Sequence, residues 1–145
     1  MPVLVSACLI GVCCRYDGAS KPDSRVLALM SGHTLIPVCP EILGGLPTPR
    51  IPSEIRGDRV INREGRDVTA AYERGAEECL KLAHFYGCRC AILKERSPAC
   101  GCGTRYDGTF SGTLVQGDGI AAARLKEAGI KVIGESDLPD YFDSR

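Results

Sequence analysis

Short β-branched runs alternate with helical segments along this chain, and that alternation restricts the fold more than any other feature. The runs predict four strands, at residues 3–8, 34–39, 88–94 and 130–133. Patterned segments between them predict helices at 24–30, at 67–86 and from 118 or 119 to 128. Strands joined through helices pair in parallel by right-handed crossovers. The sequence therefore predicts a small, open, mainly parallel four-stranded α/β sheet with flanking helices, in a Rossmann- or flavodoxin-like layout.

Length and charge narrow the class of protein further. The 145 residues suit one domain, and 18 Lys and Arg balance 18 Asp and Glu. A nucleic-acid binder normally carries a basic face, so no nucleic-acid polymer is expected as a partner. No apolar run is long enough for a membrane span, and the N-terminus lacks the basic segment of a signal peptide. We predict a single cytoplasmic domain over residues 1–145.

Three segments carry no clear periodicity. Residues 40–66, rich in Pro and Gly, and residues 95–117 are predicted to be long irregular loops, which in a small domain are usually functional. The polar tail, residues 135–145, is predicted to be mobile at its end.

The sequence Arg-Tyr-Asp-Gly occurs at 15–18 and again at 105–108. It indicates either two tight turns or two loops that face one ligand.

Nine cysteines need an explanation in a reducing compartment, where structural disulfides are rare. Ligands of parallel sheets bind at the carboxyl ends of the strands. Cys8 and Cys39 end the first two strands, and Cys100 follows the third, so these three are expected to meet at one rim. Cys79, Cys88 and Cys90 are expected to be buried apolar filler. The role of the loop residues Cys13, Cys14 and Cys102 stays open.

The residues alone leave the chemistry of this rim open. No Cys-x-x-Cys and no ferredoxin-type cysteine run occurs, so a zinc site, an iron–sulfur cluster and a bare thiol site all remain. Glu41 lies two residues after Cys39, where its carboxylate would act as a general acid or base near a bound metal. Ser97 lies three before Cys100 and would offer a hydroxyl to a substrate. The alternative for both is a turn or cap residue.

Several ordered motifs make the chain resemble the thiouracil desulfidase family, long catalogued as a bacterial domain of unknown function. They are VSACLIG at 5–11, RYDG at 15–18, VCPE at 38–41, GGLPTPR at 44–50, KERSPACG at 94–101 and YDGTFSG at 106–112. The resemblance covers nearly the whole chain. It implies an α/β fold that carries a [4Fe-4S] cluster.

The resemblance also implies a role for each candidate residue. Cys8, Cys39 and Cys100 would hold the cluster and leave one iron without a protein ligand. Glu41 would activate water and Ser97 would orient a thiolated pyrimidine, so that 2-thiouracil or 4-thiouracil gives uracil plus sulfide without net redox change. Beyond the resemblance, we expect the segment 40–66 to roof the pocket, with Arg50 and the two Tyr-Asp-Gly turns as candidates for its wall.

The loop cysteines Cys13, Cys14 and Cys102 depart from the pattern that the family requires. If Cys102 replaced Cys100 or bound the fourth iron, the open site would close. The alternative function is a non-catalytic iron–sulfur or zinc thiolate module for sulfur transfer or redox sensing.

Overall fold

A parallel four-stranded sheet is the centre of the computed structural model, which describes residues 1–138. The strands in chain order are β1 (Pro2–Ser6), β2 (Thr34–Val38), β3 (Ser53–Arg56), β4 (Arg59–Asn62), β5 (Cys90–Leu93), β6 (Thr104–Tyr106), β7 (Leu114–Gln116) and β8 (Lys131–Gly134). The helices are α1 (Ser24–Ala28), α2 (Pro40–Leu43), α3 (Thr69–Tyr86) and α4 (Ile120–Glu127). Part of the tail predicted to be mobile, residues 139–145, lies outside the described residues.

The main sheet has the order β2-β1-β5-β8 with every neighbouring pair parallel. The prediction of an open parallel α/β sheet is therefore confirmed. β2 is an edge strand, as expected from Pro37, which pairs with Val5 and has no N–H to give to a further strand. The chain passes from β1 to β2 on one side and returns to β5 on the other, so the strand order reverses beside β1.

Alternating side chains of the sheet feed two separate cores. One face packs against α3 and α4, and the other packs against α1 and the short 3-10 turn Ala7–Ile10 that follows β1. The first face carries Leu4, Ala91, Leu93 and Val132, and the second carries Val3, Val5, Ile92 and Ile133. This period-two burial explains why the strands are apolar throughout. No helix within residues 1–138 has the length and apolar character to cross a membrane.

Two segments predicted to be irregular contain regular structure, so both predictions are wrong. Residues 40–66 hold the short helix α2 and the antiparallel hairpin β3–β4, and residues 95–117 hold the antiparallel hairpin β6–β7. Strands of three or four residues are too short to show a periodic pattern. In β3–β4 the buried apolar side chains include Ile55 and Val60, and the other positions are mostly polar.

Two glycines allow α2 to lie against α3 at backbone distance. A Cβ placed on Gly75 of α3 would lie 1.8 Å from the carbonyl oxygen of Pro40, the first residue of α2. A Cβ on Gly44, just after α2, would lie 2.0 Å from the carbonyl oxygen of Ala71 on α3. The position of α2, and with it that of Glu41, therefore depends on residues that have no side chain.

Gly75→Ala is expected to destabilise the protein, although alanine favours an isolated helix by about 1 kcal/mol. The added methyl must push α2 away from α3, and overpacking of this kind costs about 1–3 kcal/mol. Urea unfolding measures the change in the free energy of unfolding. Gly32→Ala is the matched control, because a Cβ there meets nothing within 4 Å. Equal stability of Gly75→Ala and the unchanged protein would show that the two helices separate at no cost.

Candidate functional site

A cavity of about 560 Å³ opens at the carboxyl ends of β1, β2 and β5. This is the end of a parallel sheet at which ligands bind, beside the strand where the order reverses. The cavity is lined by four thiols and by most of the other residues that the motifs singled out: Cys8, Cys14, Cys39, Cys100, Glu41, Ser97, Arg50, Tyr16 and Tyr106.

The first two predicted cysteines reach the cavity from the turns that follow adjacent strands. Ser6 pairs with Val38 in the register of β1 and β2, so the chain enters both turns at the same level of the sheet. Cys8 is buried in the 3-10 turn after β1, and its carbonyl accepts the amide N–H groups of Gly11 and Lys21. Cys39 is half-buried and immediately precedes α2. The sheet therefore brings together two thiols 31 positions apart in the chain.

Cys100 lies in a tight turn that Ser97 organises. The Ser97 hydroxyl oxygen accepts hydrogen bonds from the amide N–H groups of Ala99 and Cys100, each at 3.1 Å. The Ser97 carbonyl accepts the Gly101 N–H at 2.8 Å, and a Cβ on Gly101 would lie 2.7 Å from that oxygen. Ser97 therefore acts as a turn residue, which was one of the two alternatives considered from sequence. It also lines the cavity, so the other alternative stays open.

Cys14 is a cavity residue that the sequence did not single out from its neighbours. It is 3% exposed and lines the cavity together with Cys8 and Cys39. The Cys14 carbonyl also accepts a hydrogen bond from the Cys39 Sγ at 3.8 Å. Cys13, the preceding residue, is exposed and does not line the cavity.

The remaining cysteines lie away from this cavity. Cys102 does not line it, and its Sγ donates to the carbonyl of Val132 at 3.4 Å. Cys79, Cys88 and Cys90 are buried, and none of them lines the cavity. All nine cysteines of the chain are free thiols. The structure therefore places one of the three loop cysteines of open role, Cys14, with the three predicted ones.

The surroundings of Cys14, Cys39 and Cys100 raise the pKa of each thiol and favour its neutral form. Desolvation raises the pKa of Cys100 well above its usual value. The hydrogen bond with Cys14 and burial together raise the pKa of Cys39. A hydrogen bond with Cys39 lowers the pKa of Cys14, but the bond with Cys8 and burial outweigh it and raise that pKa to about 11. Because metal ions bind the thiolate, loading of this site would release protons.

Glu41 is held by one of its two carboxylate oxygens. Oε2 accepts a hydrogen bond from the Tyr72 hydroxyl at 2.6 Å and one from Arg50 Nε at 3.2 Å. Burial and the Glu41 charge raise the pKa of Tyr72, so the phenol stays a donor. Within residues 1–138, Oε1 accepts no hydrogen bond and is left for a ligand or water of the cavity. The Glu41 side chain is only 14% exposed.

Arg50 connects this carboxylate to the thiols. Its side chain, 5% exposed, donates through NH2 to the Cys14 carbonyl at 2.8 Å, and through NH1 to the Pro47 carbonyl and the Thr48 hydroxyl. The sequence placed Arg50 in the pocket wall, and the structure brings it there. Sequence reasoning missed Tyr72, which lies within the helix predicted at 67–86.

The outer wall comes from the segments predicted to surround the pocket. Tyr16 and Tyr106, from the two Tyr-Asp-Gly sequences, both line the cavity. Both turns also use their aspartate locally, because Asp17 accepts the Ala19 N–H and Asp107 accepts the Thr109 N–H. The two interpretations of this repeat are therefore compatible. The segment 40–66 adds Pro52, Ser53, Glu54 and Arg63 to the wall.

The donor set fits an iron–sulfur cluster by its chemistry, because such clusters are held by cysteine thiolates and this cavity offers four thiols. Within residues 1–138, no group of three or more His, Cys, Asp or Glu is arranged to hold a single metal ion. A four-iron cluster spaces its cysteine sulfurs more widely than a single ion does. Thiols that line one cavity without forming a single-ion site are compatible with such a cluster.

A family model and a solved structure point to one family, and a relative of similar length matches as well. A family model described as 2-thiouracil desulfurase matches residues 3–137. The uncharacterized protein YbbK of Bacillus subtilis (strain 168) is 41% identical, over 97% of this chain and 99% of that protein. A solved structure of the [4Fe-4S]-dependent thiouracil desulfidase TudS superposes with a TM-score of 0.93 at 44% identity, over 99% of this chain and 96% of that one.

Proposed function

This chain belongs to the 2-thiouracil desulfurase family, and from that premise we propose that it removes sulfur from thiolated uracils with a [4Fe-4S] cluster as cofactor. The observation that carries the proposal is the meeting of four thiols and an anchored carboxylate in one cavity. The substrate is a small thiolated pyrimidine, 2-thiouracil or 4-thiouracil, and the products are uracil and sulfide. We also place the protein in the cytoplasm of a bacterial cell, and the free state of all nine cysteines supports the reducing setting.

Cys8, Cys39 and Cys100 are the residues that we assign to the cluster. They come from the segments that follow three adjacent strands of one sheet, so the scaffold brings them to the same cavity. Three cysteines would leave one iron without a protein ligand, and the bound cluster would supply a Lewis acid for the thione sulfur. Cys14 stays a protein thiol beside them.

Glu41 is the general base of the proposed reaction. Arg50 and Tyr72 hold Oε2, and Glu41 lines the cavity, so Oε1 is the oxygen that we assign to take a proton from water. The water oxygen bonds to the ring carbon and the carbon–sulfur bond breaks. Both hydrogens of the water end on sulfur as H₂S, and no electron is gained or lost. The reaction is a hydrolysis and needs no reductant.

Ser97 orients the substrate by the hydrogen of its hydroxyl. Its oxygen already accepts two backbone N–H groups, so the O–H is left to donate into the cavity. A ring oxygen or nitrogen of the pyrimidine is a suitable acceptor. The same turn carries Cys100, so Ser97 ties the orientation of the substrate to the position of that thiol.

Anaerobic reconstitution with iron and sulfide, followed by a thiouracil assay, tests the proposal. We expect a brown protein that converts 2-thiouracil or 4-thiouracil to uracil, with sulfide released in equal amount, measured by chromatography and by a sulfide assay. A protein that holds a full cluster and converts neither compound would instead favour the non-catalytic iron–sulfur module. A colourless protein with stoichiometric zinc would contradict the cluster itself.

A further inference from the structure

Two residues of the cavity wall adopt a backbone conformation that side chains normally avoid. Within residues 1–138, Arg96 and Phe110 are the non-glycine residues with positive φ, at 69° and 57°. Both line the cavity. Bulky residues rarely occupy this left-handed region, and such strain collects at functional sites. The strain at Phe110 is the more informative, because its aromatic side chain has no charge to place in solvent.

The Phe110 ring is not held there by the core of the protein. The residue is half-buried and belongs to neither of the two buried apolar clusters of the described chain. It lies between Gly108 and Gly112, which also have positive φ. A third glycine would fit the backbone at 110 without strain. The aromatic ring is thus kept at an energetic cost that the fold itself does not require.

A buried carboxylate holds the strained backbone in place. Glu54 of β3 is 9% exposed, and its Oε1 accepts the N–H groups of Gly108 at 3.0 Å and Phe110 at 3.1 Å. Arg56 Nε donates to the Gly108 carbonyl at 2.7 Å. Burying a carboxylate is costly unless hydrogen bonds compensate it. Here the hydrogen bonds that compensate the burial of Glu54 both come from the turn that carries Phe110.

The ring itself is oriented by a cation. The Arg63 guanidinium lies 5.3 Å from the centroid of the Phe110 ring, within the range of a cation–π contact, and Arg63 also lines the cavity. The ring is thus held by its backbone and by a neighbouring side chain before any ligand arrives. An aromatic group fixed in this way is suited to pack against a flat, uncharged heterocycle.

We propose that Phe110 contacts the pyrimidine ring of the substrate and sets the affinity of the site for it; this inference rests on the proposed function. The contact is made to the ring and not to the sulfur. Thiolated substrate and uracil product are therefore recognised alike, and the contact strengthens binding without taking part in the cleavage of the carbon–sulfur bond.

Phe110→Gly tests the proposal, because it removes the ring and relieves the backbone strain together. In the reconstituted protein, its KM for thiouracil is expected to rise about tenfold, the size of effect found when a base loses an aromatic partner. The inhibition constant of uracil should rise in parallel, while kcat and iron content stay unchanged. The thermal unfolding midpoint should be no lower than that of the unchanged protein, since glycine suits this conformation.

Phe110→Leu is the second variant, which keeps apolar bulk and the strain but removes the aromatic face, and its KM should also rise. Phe85→Ala is the control, since Phe85 is 80% exposed at the far end of α3. A KM of Phe110→Gly that stays within about threefold of the unchanged protein overturns the proposal. Unchanged protein that lacks all thiouracil turnover removes the proposed function and this inference with it.

Discussion

Glu41→Gln is expected to keep its cluster and to lose turnover of thiouracil by about 10²–10⁴-fold, the usual contribution of a general base. The amide oxygen of glutamine can still accept the hydrogen bonds of Tyr72 and Arg50 that now reach Oε2. The amide nitrogen then occupies the place of Oε1 and cannot take a proton. Geometry is preserved and basicity is removed, so kcat measured anaerobically should fall while iron per chain stays constant.

The matched control for Glu41→Gln is Glu78→Gln, the same change at an exposed residue of α3 that pairs with Lys81. Its kcat should equal that of the unchanged protein. A Glu41→Gln protein with kcat near that of the control would remove Glu41 from the mechanism. Loss of iron from Glu41→Gln would instead show that the carboxylate supports the cofactor.

Replacement of an assigned cluster ligand has the other large effect. Cys100→Ser is expected to lose most of its iron and its visible colour, because the hydroxyl of serine is a poor substitute for a thiolate in an iron–sulfur site. Cys8→Ser and Cys39→Ser should behave in the same way. Iron and sulfide per chain after anaerobic reconstitution provide the measurement, and circular dichroism verifies that each variant is folded.

Cys14→Ser is the decisive comparison for the ligand set, since Cys14 shares the cavity with the three assigned ligands. We expect this variant to keep its full cluster. Cys102→Ser, whose thiol contacts the Val132 carbonyl outside the cavity, serves as the second control. If Cys14→Ser lost the cluster while Cys100→Ser kept it, the cluster would be bound by Cys8, Cys14 and Cys39.

The meeting of Cys8, Cys39 and Cys100 at one rim followed from strand topology alone, because parallel strands end on the same side of the sheet. The identity of the cofactor did not follow from strand topology, because the cysteine spacing matched no contiguous metal motif. Only the family resemblance pointed to an iron–sulfur cluster. Cys14 could not be chosen over Cys13 from sequence. Cys13 and Cys14 lie in a tight turn, which is closed by a hydrogen bond from the Cys14 N–H to the Val12 carbonyl. Adjacent side chains in a turn point in different directions, so only one of these two cysteines reaches the cavity.

The support of Glu41 was also beyond the sequence, for a different reason. Tyr72 lies in α3, where the sequence predicted a helix, and its side chain is buried. Its bond to Glu41 depends on how α2 docks on α3, and that docking depends on the absence of a side chain at Gly75. The Tyr72–Glu41 hydrogen bond joins α3 to α2. The sequence pattern of neither helix indicates how it packs against the other, so this bond could not be predicted.

One guanidinium spans the proposed base and the loop of the fourth thiol. Arg50 bonds the Glu41 carboxylate with one nitrogen and the Cys14 carbonyl with another, and the Cys39 sulfur bonds to that same carbonyl. The proposed base and the sulfur-bearing loop are therefore tied to one side chain, and neither bond involves the hairpins β3–β4 and β6–β7. A wall altered in those hairpins to admit another heterocycle would leave the spacing of base and thiols as it is.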